Sequence, residues 1–268
     1  AERKEILEQL KDGSIHILIG THALIEENVV FSALGLVITD EQHRFGVKQR
    51  QALESKGKSP HVLIMTATPI PRTMALSVYG DLDVSFIKGM PPGRHPVKTY
   101  VVGSHMLQRI FRFMKKEMES GHQAYVVCPL VEQSEKQDLA AAVSVYENLR
   151  DHVFPQFGVG LVHGRMKNAE KEQVMEDFRK GKFKLLVATS VIEVGVNVPD
   201  ATVMFVYGAD RFGLSQLHQL RGRVGRGKEQ AYCVLYTDNQ NETTQLRMKL
   251  MCEIRDGAPV SYTHLRAH

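Results

Sequence analysis

The chain has 268 residues, 43% of them hydrophobic, with 34 Lys and Arg against 30 Asp and Glu for a net charge of +4. That length accommodates two modest domains, and the small basic excess admits a nucleic-acid partner without requiring one. Three widely spaced cysteines exclude a disulfide framework, 12 histidines without HExxH spacing offer no zinc site, and no apolar run reaches transmembrane length or reads as a secretory leader. A cytoplasmic protein without a membrane partner is expected. Trp is absent and aromatics are 7%, so any nucleic acid would be held through its backbone rather than by base stacking.

Strand-like apolar runs alternate with helical periodicity along the chain, the pattern of an α/β fold with parallel sheets. The first runs are His16 to Ile19, Leu34 to Thr39 and His61 to Met65. The second delivers Asp40-Glu41-Gln42-His43 at its carboxyl end, where ligands bind in open α/β sheets. Asp40 suits Mg²⁺ held through water, and Glu41 suits a group that orients or deprotonates an attacking water. An acidic pair capping the next turn fits the same residues. Thr66-Ala67-Thr68, after the third run, suits a ligand-sensing hinge or a loop cap. Lys88 to Pro96 packs three prolines and two glycines into nine residues and reads as a linker.

Six further strands are expected at Lys98 to Val102, Ala124 to Cys128, Gly158 to Val162, Lys184 to Ala188, Thr202 to Val206 and Ala231 to Tyr236. Between the first two, Leu107, Ile110, Phe111, Met114 and Met118 recur at helical spacing as a core stripe that Gly121 ends. Asn168 reads as the cap of a helix whose buried face is Val174, Met175 and Phe178, with Glu170 and Glu172 favourably placed in its first turn. Near the end of the chain, Gln216 to Arg226 reads QLHQLRGRVGR. Arg221, Arg223 and Arg226 lie among Gly222, Gly225 and Gly227, with no acid before Glu229. Arginine cannot be neutralised by burial, its planar fork fits phosphate oxygens, and glycines permit close approach. The run suits a polyanion; a basic surface loop is the bland alternative.

Taken in order, these segments resemble the motor of superfamily-2 helicases. Asp40-Glu41-Gln42-His43 is similar to the DExH form of the Walker B motif, Thr66-Ala67-Thr68 to motif III, Ala188 to Pro199 to motif V, and Gln219 to Arg226 to motif VI. The stretches Gly20 to Arg50, Met65 to Leu76, Tyr125 to Ala142 and Arg211 to Gly227 resemble the RecG family of bacterial branched-DNA helicases, over roughly residues 3 to 257. The motor of transcription-repair coupling factors is the alternative. That family has a second glutamate where this chain has Gln42-His43, and threonine-glycine-isoleucine at Val194-Gly195-Val196. A helicase-like lobe that binds nucleic acid without turnover is the reading from a different class.

The resemblance implies tandem RecA-like lobes, the first incomplete: residues 1–90 as the carboxyl-terminal part of lobe 1, 91–97 as linker, 98–255 as lobe 2, and 256–268 as a non-native tail. It implies ATP and Mg²⁺ as cofactors, branched or single-stranded DNA as partner, and a monomer. Asp40, Glu41, Gln219, Arg223 and Arg226 become catalytic residues, with Asp40 holding Mg²⁺ through water and the last two as arginine fingers. Asp40, Glu41, Gly195, Asn197, Arg223 and Arg226 would bind nucleotide, although many relatives carry aspartate at the position of Asn197, which puts its role in doubt. His43, Thr66 and Thr68 would couple nucleotide state to lobe closure. Gly20, Thr21 and His22 in lobe 1, and Gly164, Arg165, Thr189 and Ser190 in lobe 2, would contact DNA phosphates. Two family features are not found. No GxxxxGK[ST] phosphate loop occurs, and no wedge domain, so a chain truncated at its amino terminus is expected. Ala258 to His268 departs from the family and reads as translated vector sequence or as natural divergence of a terminus.

Overall fold

A computed structural model describes residues 2–40, 52–66, 83–85, 87, 93–129, 135–189 and 198–253. The chain divides into two compact units, Ala1–Pro69 and Ile70–His268. The sequence boundary at residue 90 and the first residues of the linker lie outside the described residues.

In the first unit, α1 (Glu2–Asp12) precedes a single 3-10 turn at His22–Ile25 and two parallel strands, β1 (Leu36–Thr39) and β2 (His61–Ile64). Val37 and Thr39 are buried on one face of β1, while Leu36 and Ile38 on the other are exposed. His16 to Ile19 forms no strand, which corrects the sequence expectation. Ile17 is 81% exposed and Ile19 91%. A β-branched run becomes a strand only where a neighbour completes its hydrogen bonds, and no described residue pairs with this one. Just before the segment, Ile15 N donates to Gln9 O at 3.1 Å and closes the end of α1.

The second unit is a six-stranded parallel sheet in the order β3-β8-β7-β4-β6-β5. Its strands are β3 (Lys98–Val102), β4 (Gln123–Cys128), β5 (Val159–Val162), β6 (Leu185–Thr189), β7 (Ala201–Val206) and β8 (Tyr232–Tyr236), each within one residue of its expected bounds. The helices are α2 (Leu107–Glu119), α3 (Glu135–Asn148), α4 (Asn168–Arg179), α5 (Leu214–Arg221) and α6 (Glu242–Glu253). Strands buried on both faces read as continuous apolar runs, and β4, β6 and β7 are buried along their whole length.

Alternate residues of the central strands feed two cores. Tyr125, Leu186 and Met204 face Met175 and Phe178 of α4, Leu214, Leu217 and Leu220 of α5, and Met248 and Met251 of α6. Val126, Val187 and Phe205 face Met114 and Met118 of α2 and Leu149 just beyond α3. The α2 stripe is thus core packing, and Gly121 closes it at φ +97°. At α4 the cap is Lys167 and Asn168 is the first helical residue, a shift of one from expectation. The carboxylate of Glu170 accepts the Lys167 N–H at 3.0 Å, which satisfies a free amide at the helix start and selects that register.

Candidate nucleotide and nucleic-acid site

In the first unit the parallel register pairs Thr39 with Ile64, and Met65 N donates to Thr39 O at 2.8 Å. Asp40 and Thr66, each just past its strand, therefore emerge at the same carboxyl edge. Asp40 is exposed and Thr66 half-buried. Glu41, His43 and Thr68 lie outside the described residues. Among the described residues no group of three or more His, Cys, Asp or Glu could hold a metal ion. An ion that keeps several waters and takes phosphate oxygens needs only one or two protein carboxylates, and the exposed Asp40 fits that demand. Gly20 and Thr21 lead into the 3-10 turn that begins at His22; a Cβ on Gly20 would meet Leu24 Cδ2 at 2.9 Å.

In the second unit β6 lies between β4 and β5 while β7 lies on the far side of β4. Strand order reverses there, and in open α/β sheets such a crevice at the carboxyl ends is where ligands bind. Thr189 is the last residue of β6, 1% exposed, and its Oγ1 has no hydrogen-bond partner among the described residues. Gly164 and Arg165 follow the neighbouring β5, and Lys171 Nζ reaches back from α4 to Gly164 O at 2.8 Å. Next to them, His163 has a buried Nδ1 without a partner among the described residues, and burial, with the cations Lys171 and Arg165, pushes its pKa down. Sequence reasoning passed over His163, because one histidine after a strand carries no spacing signal. Ser190, Gly195 and Asn197 lie outside the described residues.

The three arginines of the basic run do not share a fate. Arg221, at the end of α5, is 7% exposed, and its Nη1 donates to Met251 O of α6 at 2.9 Å. It ties two helices together. Arg223 is half-buried and Arg226 exposed, both in the turn beyond the helix, while Gln219 is half-buried on α5. Arg226 Nε approaches Gly222 O at 3.4 Å. Two glycines make the turn possible. Gly225 has φ +70°, and a Cβ on Gly227 would come within 2.7 Å of Pro199 O. Under the run, burial pushes the Tyr125 hydroxyl up to about 12 against the opposing charges of Arg223 and Arg226, so the phenol stays neutral beneath them. The turn therefore carries two guanidinium groups among glycines, a composition suited to phosphate.

The first unit carries Asp40 and Thr66 at the carboxyl edge of a parallel pair and the second a sheet with a glycine-arginine turn, and both match families of superfamily-2 helicase motors. Residues 1–76 match the DEAD/DEAH box helicase family, and residues 105–228 match the helicase conserved C-terminal domain. The chain is 56% identical over 259 residues to the ATP-dependent DNA helicase RecG of Bacillus subtilis, covering 97% of this chain and 38% of that protein. It is 49% identical to RecG of Thermotoga maritima, covering 99% of this chain and 34% of that one. A solved structure of RecG bound to a three-way DNA junction superposes with a TM-score of 0.80 at 45% identity, over 100% of this chain and 34% of that one. The RNA helicase Mss116p, at 14% identity and a TM-score of 0.68, shares the fold. Along nearly its whole length the chain is similar to RecG helicases, over a stretch that combines part of a DEAD/DEAH lobe with a helicase C-terminal lobe of RecA-like α/β architecture. It spans about a third of the length of the curated relatives that it matches.

Proposed function

We propose that this chain is part of the motor of an ATP-dependent helicase that remodels branched DNA such as stalled forks and Holliday junctions. The observation that carries the reading is the 45% identity and full coverage of this chain against RecG in complex with a three-way junction. The domain reading goes with it: lobe 1 to about residue 90, a linker over 91–97, lobe 2 over 98–255 and a separate tail. Asp40 holds Mg²⁺ through water, and Glu41 orients the attacking water. Arg223 and Arg226 neutralise charge developing on the γ-phosphoryl group, a contribution worth about 10³–10⁵ in rate in nucleotide hydrolases. Gln219, Gly195 and Asn197 complete the nucleotide contacts, and His43, Thr66 and Thr68 couple them to closure. Gly20, Thr21, His22, Gly164, Arg165, Thr189 and Ser190 meet DNA phosphates, which position a strand without reading its sequence. The resemblance to RecG carries the reading of a monomer in the cytoplasm. No helix among the described residues is long and apolar enough to cross a membrane.

The test is DNA-stimulated ATP hydrolysis by the complete gene product. Glu41→Gln and Arg226→Ala should each abolish turnover. Glu41→Gln should leave ATP binding largely intact, because it removes the water-orienting group and not the phosphate cradle. Turnover at the parental rate in Glu41→Gln would overturn the catalytic assignment. No GxxxxGK[ST] run occurs in the 268 residues, so this chain by itself is expected to hydrolyse no ATP above background.

A further inference from the structure

The turn that carries Arg226 is laced to a distant piece of chain. Arg94 Nε donates to Gly225 O at 2.9 Å across 131 residues of sequence. Gln230 Nε2 donates to Pro96 O at 2.8 Å and to Ala231 O at 3.0 Å, and Lys98 N donates to Ala231 O at 3.0 Å. A Cβ on Gly225 would meet Ala231 Cβ at 3.0 Å and Val97 Cγ2 at 3.2 Å, so Val97 lies directly against the turn. Residues 94–97, the end of the segment read as the inter-lobe linker, therefore hold the turn at Gly225 and the chain just beyond it at Gln230.

The bond from Arg94 has a particular geometric consequence. The carbonyl of Gly225 and the amide nitrogen of Arg226 belong to one planar peptide unit. Fixing that carbonyl fixes the plane from which the Arg226 side chain departs. At φ +70° Gly225 has no side chain to resist rotation, so the restraint has to come from a partner. A half-buried guanidinium supplies a charge-assisted hydrogen bond, stronger than a neutral one.

We propose that Arg94 is a positioning residue for Arg226. It orients the Gly225–Arg226 peptide so that the conformation of the linker and the reach of the arginine finger change together. The proposal rests on the reading of Arg226 as a finger.

The experiment compares Arg94→Ala, Arg94→Lys, Gln230→Leu and Arg226→Ala in the complete gene product, by kcat and KM for ATP with saturating DNA and by thermal melting. A misplaced catalytic group costs about 10- to 100-fold, so Arg94→Ala should lower kcat by that factor while KM for ATP changes less than about 2-fold. Arg94→Lys, whose ammonium can reach the same carbonyl, should recover most of the rate. Gln230→Leu, which releases the linker at Pro96, should lower kcat in the same direction, and it carries the test if Arg94→Ala does not fold. Parental kcat in Arg94→Ala alongside an inactive Arg226→Ala would overturn the positioning role alone. So would a loss expressed in KM, a loss that follows the fall in melting temperature, or equal losses in Arg94→Ala and Arg94→Lys. Parental turnover in Arg226→Ala would instead remove the finger reading beneath it.

Discussion

Gln123 shows how much one polar side chain can organise. It is 2% exposed, and its Nε2 donates to Phe178 O at 2.6 Å and to Phe183 O at 3.1 Å. Those carbonyls belong to the end of α4 and the loop into β6, so one amide closes a helix that Gly181 has already turned at φ +73°. Gln123→Leu keeps the volume and leaves both carbonyls without this donor. A buried group left unsatisfied costs about 1–3 kcal/mol, so the variant should lose about that much stability. Urea unfolding of the second unit reads it directly; a midpoint unchanged within error would mean that water replaces the amide. The cysteines show the same logic without a partner. Burial pushes both Cys128 and Cys233 up to about 12, which makes them packing residues rather than reactive thiols.

At the scale of elements, the turn after β7 is tied to β8 and to the approach to α6 through Asp210. Thr237 Oγ1 donates to Asp210 Oδ1 at 2.7 Å, and Asn239 Nδ2 donates to Oδ2 at 3.2 Å. Arg247 of α6 closes the loop by donating to Phe212 O. Burial works against the carboxylate, but the hydrogen bonds from Thr237 and Asn239, with the charge of Arg211, hold its pKa below the usual range. A folded-state pKa below the unfolded value of about 3.9 stabilises the fold above that pH, and the stabilisation is lost as pH falls through the folded value. Asp210→Asn should therefore be less stable than the parent at pH 7, and the difference should shrink below about pH 4. Melting curves across that range check it; a difference independent of pH would show that the side chain acts by shape and not by charge. Arg221, one helix earlier, donates Nη1 to Met251 O and so joins α5 to α6.

At the scale of the molecule, the two units differ in how completely they cover their own sheets. The described strands of the first unit are a two-stranded pair with Leu36, Ile38 and Leu63 exposed. The second unit has six strands with a core on each face. Parallel strands covered on one side only expose backbone and apolar surface that local opening costs little to release. Amide exchange should accordingly be faster over Ile15 to Met65 than over Ala124 to Val206 in the same chain. Equal protection would mean that the first unit is as cooperative as the second. The stretch Pro96 to Met251 of the second unit should also fold when expressed alone, and a cooperative urea transition with native-like exchange in β4, β6 and β7 is the expected outcome.

The strands of the second unit and the helix from Leu107 to Glu119 were legible in the sequence, because burial on one or both faces writes itself into neighbouring residues as a continuous run or a helical stripe. The resemblance to RecG was legible for a related reason: several motifs recur in one order and spacing. The tertiary structure decided everything that depends on residues far apart in the chain. Arg221, Arg223 and Arg226 look alike in sequence, and only the packing of α5 on α6 turns the first inward. Ile17 and Ile19 look like strand residues, and only the lack of a pairing neighbour among the described residues leaves them irregular. Arg94 sits in a proline-rich stretch with no motif, and its bond to Gly225 exists only because β3 and β8 pair in one register. Short-range patterns record which side of an element is buried. They carry no record of which distant carbonyl a side chain will meet, because that depends on how elements already formed are laid against one another.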